Sequence, residues 1–206
     1  MGIDLEALIK AVGYIGLFAI VFAETGLLIG FFLPGDTLLI TAGLLIQRGD
    51  VDLSLYVLIP LLIVAAVTGD ATGYQIGKHT GRRIFTRENS RLFHRKHLER
   101  AERFYEKHGG KTIILARFLA FIRTFAPTVA GAANMPYGKF ALYNVTGALL
   151  WVPSMTLLGY FFGKAIPPEY VDLFFVALVG LMIVASTAPA LVHLWRQRRE
   201  KGSEAA

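Results

Sequence analysis

Not one cysteine occurs in the 206-residue chain, which rules out disulfides and thiolate metal sites. Charge is scarce as well. Asp, Glu, Lys and Arg make up 17% of the residues, where a soluble domain carries about 25%. The first ten residues hold Asp4, Glu6 and Lys10 but no basic n-region, so no cleavable signal peptide is expected. What fills the chain instead is apolar: 54% hydrophobic residues and a mean hydropathy of +0.52. This is the profile of a multi-spanning α-helical membrane protein forming one membrane domain. The net charge of +6 does not imply a nucleic-acid partner. The positives cluster beside apolar segments, where they report topology and contact with anionic lipid.

Residues 1–12 suit a short helix at the membrane surface. Residues 13–33 are apolar except for Glu24, Pro34-Gly35-Asp36 interrupts, and a second apolar run ends near residue 46 before the polar turn at 47–50. Residues 53–77 are long enough to span a bilayer core of about 30 Å. Residues 78–111 hold eleven Lys/Arg against Glu88, Glu99, Glu102 and Glu106. Residues 112–136 are apolar but broken by Arg117, Arg123 and Pro127. Two further spans, 138–163 and 171–195, precede a basic tail at 196–206.

The positive-inside rule puts the 78–111 segment and the tail in the cytoplasm. Parity then requires residues 112–136 to enter and leave by the cytoplasmic face, as a re-entrant hairpin with its tip near Pro127. Residues 13–46 are read as the mirror case, entering from outside with a tip near Pro34-Gly35. The alternative is that 13–33 spans fully. The chain is thus expected to be an all-α inverted repeat. Hairpin plus span (13–77) faces hairpin plus span (112–163), with the tips meeting inside the protein, because broken backbone at membrane depth needs cover.

Glu24 and Asp36 on one hairpin and Arg117 and Arg123 on the other invite pairing across the repeat interface. A charge left alone at mid-bilayer costs about 2.5–3.5 kcal/mol or more. A structural reading is that buried ion pairs merely hold the fold together. The functional reading gives Arg117 and Arg123 an anionic head group, most simply a phosphate, which suits a planar fork of donors. Glu24 and Asp36 then exchange protons, since desolvation and a nearby arginine push a carboxyl in opposite directions. The two arginines are six positions apart, about 240° around a regular helix, so a break between them, or a ligand surrounded from two sides, is needed. Asp70 lines the same cavity or caps a packing contact. Pro34, Gly35, Pro127, Asn134 and Asn144 are candidate cavity-lining residues, the asparagines as partners for broken backbone. Tyr137, Trp151 and Trp195 read as interfacial anchors. The histidines are too scattered for a metal site, and no metal or cofactor is expected.

Several of these pieces together resemble the DedA family, also described as SNARE-associated Golgi or VTT-domain proteins. They are Glu24-Thr25-Gly26 with Phe32-Leu33-Pro34-Gly35-Asp36; Gly69-Asp70-x-x-Gly73-Tyr74-x-Ile76-Gly77; and Arg117-Phe118, Arg123-Thr124, Pro127 and Ala130-Gly131. Met135, Phe140, Asn144 and Gly147 through Trp151 extend the match over residues 13–163. One departure is Leu119-Ala120, in place of the proline that many members carry after Arg-Phe. The resemblance implies a bacterial inner-membrane protein tied to envelope homeostasis and proton motive force. It implies translocation of undecaprenyl phosphate or a phospholipid, functional acids at Glu24 and Asp36, and functional arginines at Arg117 and Arg123.

The expected function is a proton-coupled lipid transporter and not an enzyme. Its partners are an anionic lipid, protons and the surrounding membrane lipids, with homo-oligomer formation left open. A small proton or ion antiporter or channel is the alternative. An intramembrane lipid phosphatase is the other, although no His or Ser at membrane depth pairs visibly with a base.

Overall fold

A computed structural model of the chain describes residues 5–27, 35–85, 111–118 and 120–165. The expected span at 171–195, the basic tail, most of the 78–111 segment and Pro34 lie outside the described residues. All the regular structure among the described residues is helical: α1 Leu5–Gly26, α2 Gly35–Arg48, α3 Leu55–Phe85, α4 Lys111–Ala116, α5 Ala120–Ala132 and α6 Tyr137–Ala165. Three stretches, Leu8–Gly26, Leu55–Thr80 and Tyr137–Ala165, are long and apolar enough to cross a membrane.

Helix α1 kinks at Gly13, whose backbone (φ 55°, ψ −153°) is accessible to glycine and costly for other residues. Just past the kink, the Tyr14 hydroxyl accepts a hydrogen bond from the Ser54 backbone N–H at 2.6 Å, tying the start of α1 to the start of α3. Helix α1 ends at Gly26, and α2 opens on Gly35-Asp36. A carboxylate in the first turn is favoured by the exposed N–H groups of a helix start.

The second interrupted segment breaks earlier than its sequence suggests. Arg117 N–H reaches back to the Ile114 carbonyl and Phe118 N–H to that of Leu115, three residues each, so α4 tightens and stops there. Pro127, expected at a hairpin tip, lies buried inside α5. A proline interrupts only its own bond to the carbonyl four residues back, and packing here holds the helix together across it.

Helices α2 and α5 end alike. After α2, Gly49 (φ 75°) takes the left-handed conformation, with Gly49 N–H bonded to Ile46 O at 3.2 Å and Asp50 N–H to Leu45 O at 3.0 Å. After α5, Asn134 (φ 51°) does the same, with Asn134 N–H on Gly131 O and Met135 N–H on Ala130 O, both at 3.1 Å. Asn134 is therefore an exposed helix cap and not a cavity-lining residue. Asn is one of the few side chains that tolerate this backbone, and the proline two residues on cannot continue a helix.

Small residues set the packing. A Cβ on Gly43 of α2 would strike the Thr156 carbonyl of α6, and one on Gly159 of α6 would strike that of Ile40. Between α3 and α5, Gly77 meets the Thr128 carbonyl and Gly131 that of Tyr74. Between α1 and α3, Gly26 and Gly69 abut. The helices thus approach backbone to backbone, as small-residue interfaces allow in a bilayer, where apolar side chains gain little by leaving lipid. The main pairings are α2 on α6, α3 on α5 and α1 on α3, with α4 on α6. Tyr74, fully buried, stacks on Phe140 at 4.5 Å and donates its hydroxyl proton to the Met135 carbonyl, closing the α5–α6 turn onto α3. The opposite faces carry exposed Tyr56, Val64, Leu142, Leu149 and Phe161, an apolar exterior suited to lipid.

Candidate functional site

Five of the six helices, and the turn between α4 and α5, deliver one polar side chain or more to a shared interior. Glu24 comes from the last turn of α1 and Asp36 from the first turn of α2. Asp70 sits in mid-α3, Arg117 in the α4–α5 turn, Arg123 in the first turn of α5, and Asn144 and Trp151 on α6. None is more than 6% exposed. The expected break between the two arginines is real, and it lets both point inward.

Arg123 uses its two terminal nitrogens on two different carboxylates. Nη1–H donates to Asp36 Oδ1 at 2.6 Å, and Nη2–H donates to Glu24 Oε1. Asp36 Oδ1 also accepts the indole N–H of Trp151 at 2.8 Å. Arg117 forms a second centre by donating from Nη2 to both Asp70 Oδ2 and Asn144 Oδ1. Asn144 in turn donates from Nδ2 to the Val67 carbonyl of α3 at 3.0 Å, which fixes its amide orientation. Trp151 joins the centres, its ring centroid lying 4.4 Å from the Arg123 guanidinium carbon and 5.9 Å from that of Arg117.

Opposite charges from the two interrupted segments therefore meet, and the geometry fixes which acid faces which arginine. Arg123 takes both acids of the first segment, and Arg117 is paired by Asp70 of α3. Three carboxylates face two guanidiniums, leaving one negative charge in excess when all are ionised. Arg123 would keep one carboxylate if the other were removed, whereas Arg117, whose one carboxylate partner among the described residues is Asp70, would be left as a buried charge without it.

Two glycines make the room. A Cβ on Gly35 would overlap the Glu24 carboxylate, and one on Gly147 would come within 2.9 Å of Arg117 Cδ. Gly35 thus lies directly against the Glu24 carboxylate. Pro127 is buried on α5 beside Gly73 of α3.

Trp151 is the residue that sequence reasoning misassigned. It is 1% exposed and interior, not an interfacial anchor. The available signal was its spacing: Asn144, Gly147, Ala148 and Trp151 fall at i, i+3, i+4 and i+7, one face of α6.

A family model for the VTT domain matches residues 33–161 of the chain. The chain is 47% identical over 186 residues to protein DedA of Escherichia coli K12, covering 90% of this chain and 84% of the relative. It is 42% identical to an uncharacterized membrane protein of Mycobacterium leprae, covering 90% and 81%. It is 37% identical over 190 residues to the inner membrane protein YqjA of Escherichia coli K12, covering 90% and 85%. No solved structure matches it. With the family model matching more than half of the chain and these relatives matching most of it, the chain belongs to the DedA family of membrane proteins.

Proposed function

We propose that the protein is a transporter of an anionic, phosphate-bearing lipid, undecaprenyl phosphate or a phospholipid, driven by proton exchange at Glu24 and Asp36. The observation that carries this reading is the pair of buried arginines gathered on one tryptophan, each neutralised by carboxylates that a proton can discharge. Protonation of Glu24 or Asp36 weakens its hold on Arg123. The freed guanidinium edge then offers donors to phosphate oxygens, for which its fork is shaped. When the head group leaves, the carboxylate loses its proton and reclaims the arginine. Arg117, held by Asp70 and Asn144, is a second guanidinium within reach of the same tryptophan ring. Among the described residues, the groups that hold the arginines are carboxylates, an amide and an indole ring, a set suited to holding and releasing an anionic head group.

The same proposal includes the membrane architecture. Segments 13–46 and 112–136 are read as re-entrant hairpins of an inverted repeat, with 78–111 and the C-terminus cytoplasmic. Three features support this. Both second arms, α2 and α5, end in the same left-handed cap. Both are followed by a long span, α3 or α6. In each half the first arm packs on its own span and the second arm on the span of the other half. That exchange is what two interlocked copies of one unit produce.

The second reading, a proton or ion antiporter, draws on the one excess carboxylate. Reconstitution into liposomes decides between them. Labelled undecaprenyl phosphate and a labelled glycerophospholipid are followed side by side, with and without a pH gradient. Transport of at least one lipid, accelerated by the gradient, is expected. Arg117→Lys and Arg123→Lys should each slow it tenfold or more, because an ammonium cannot span two acceptors as the guanidinium does. Glu24→Gln should remove the gradient dependence. Ion flux without lipid movement would establish the antiporter instead.

A further inference from the structure

We propose that Trp151 is the positioning residue of this site: its indole is a fixed seat on which both guanidiniums are held while they exchange carboxylate partners for a lipid head group. The identity of the ligand rests on the transport reading above; the seat rests on geometry. Trp151 is buried, and both guanidinium carbons lie within cation–π reach of its ring. Its N–H is at the same time bonded to Asp36. It stands two turns below Asn144, which holds Arg117 from the same helix face.

The titratable and charged groups around the ring are Asp36 of α2, Arg123 of α5 and Arg117 of the α4–α5 turn. Glu24 of α1 and Asp70 of α3 stand behind the arginines. Every one of these except the arginines can lose its charge to a proton. Attraction to an indole face does not titrate, so the ring keeps each guanidinium in place when its carboxylate is discharged. A second observation points to a ligand. Nε of Arg117, Nε of Arg123 and Oε2 of Glu24 are all buried without a hydrogen-bond partner among the described residues. Both arginines therefore keep an unused donor beside the seat, and buried donors left unmade are costly. Phosphate oxygens are acceptors of the right kind.

The test uses the full chain carrying Trp195→Phe, which leaves Trp151 as its single tryptophan. Emission is titrated with detergent micelles containing dioleoyl phosphatidate, and with phosphatidylcholine micelles as control. A saturable change with phosphatidate alone is expected. In liposomes, Trp151→Phe retains a ring face but no N–H. It should transport severalfold more slowly, with an altered pH profile and a near-normal half-saturating lipid concentration. Trp151→Leu lacks both, and should lose tenfold or more in rate while the half-saturating concentration rises. A folded Trp151→Leu protein that transports like wild type overturns the seat and leaves lipid transport standing. If Trp151→Leu does not elute as folded protein, the emission titration decides, and absence of a phosphatidate-dependent change overturns the seat. A saturable change in a wild-type protein that moves no lipid keeps the seat and removes the transport reading.

Discussion

Asp70 is one side chain on which the fold depends. It is the carboxylate that neutralises Arg117. In Asp70→Asn that guanidinium keeps its burial and loses its counter-charge, so the variant should lose about 3–5 kcal/mol of stability, the cost typical of breaking one side of a buried pair. Adding Arg117→Met should recover much of the loss, since an apolar pair of similar volume often replaces a buried ion pair without penalty. Thermal unfolding in detergent measures both, and additive losses would contradict the pairing. Gly35 gives a second residue-level contrast. Gly35→Ala puts a methyl into the Glu24 carboxylate and should impair transport in a folded protein, whereas Gly138→Ala, with open space around it at the start of α6, should stay within about 1 kcal/mol and transport normally.

At the scale of elements, the two matching helix ends carry a prediction. Asn134 caps α5 with a left-handed backbone and takes no part in the ion centre. Asn134→Gly should therefore preserve stability and transport. Asn134→Val forces a β-branched side chain into positive φ and should cost about 1–3 kcal/mol. Unfolding and transport assays on both variants separate a cap from a cavity wall, because a cavity role would make even Asn134→Gly defective. The helix contacts are more demanding. Gly159→Leu drives a side chain into the Ile40 carbonyl of α2 and should reduce folded yield sharply, since neither backbone can retreat without parting α2 from α6.

For the whole molecule, the natural absence of cysteine allows sidedness to be read from single introduced thiols. Asp50→Cys, in the turn after α2, should react with a membrane-impermeant maleimide added to intact cells. His79→Cys, near the far end of α3, should react only after the membrane is opened. Lys139→Cys should share the protection of His79→Cys, as the hairpin reading of 112–136 requires. Exposure of Asp50 and Lys139 on the same face would turn that segment into a full span. Helix α3, at 31 residues, is about 46 Å long, enough to cross the bilayer core and project beyond it.

The residues alone determined the broad architecture. Low charge, long apolar runs and a basic central segment can be satisfied only by helices in a bilayer, and Glu24, Asp36, Arg117 and Arg123 announced themselves because ionised groups in such runs need partners. Which acid pairs with which arginine was not legible, nor was the part played by Trp151, whose presence at a membrane edge or in a core leaves the same letter in the chain. The break at 117–119 in place of Pro127, and the cap at Asn134, were likewise decided by packing and backbone bonding between distant segments. Pairing, burial and helix contact are relations in space. Periodicity and composition list the charges that must meet, and only the packed helices choose their neighbours.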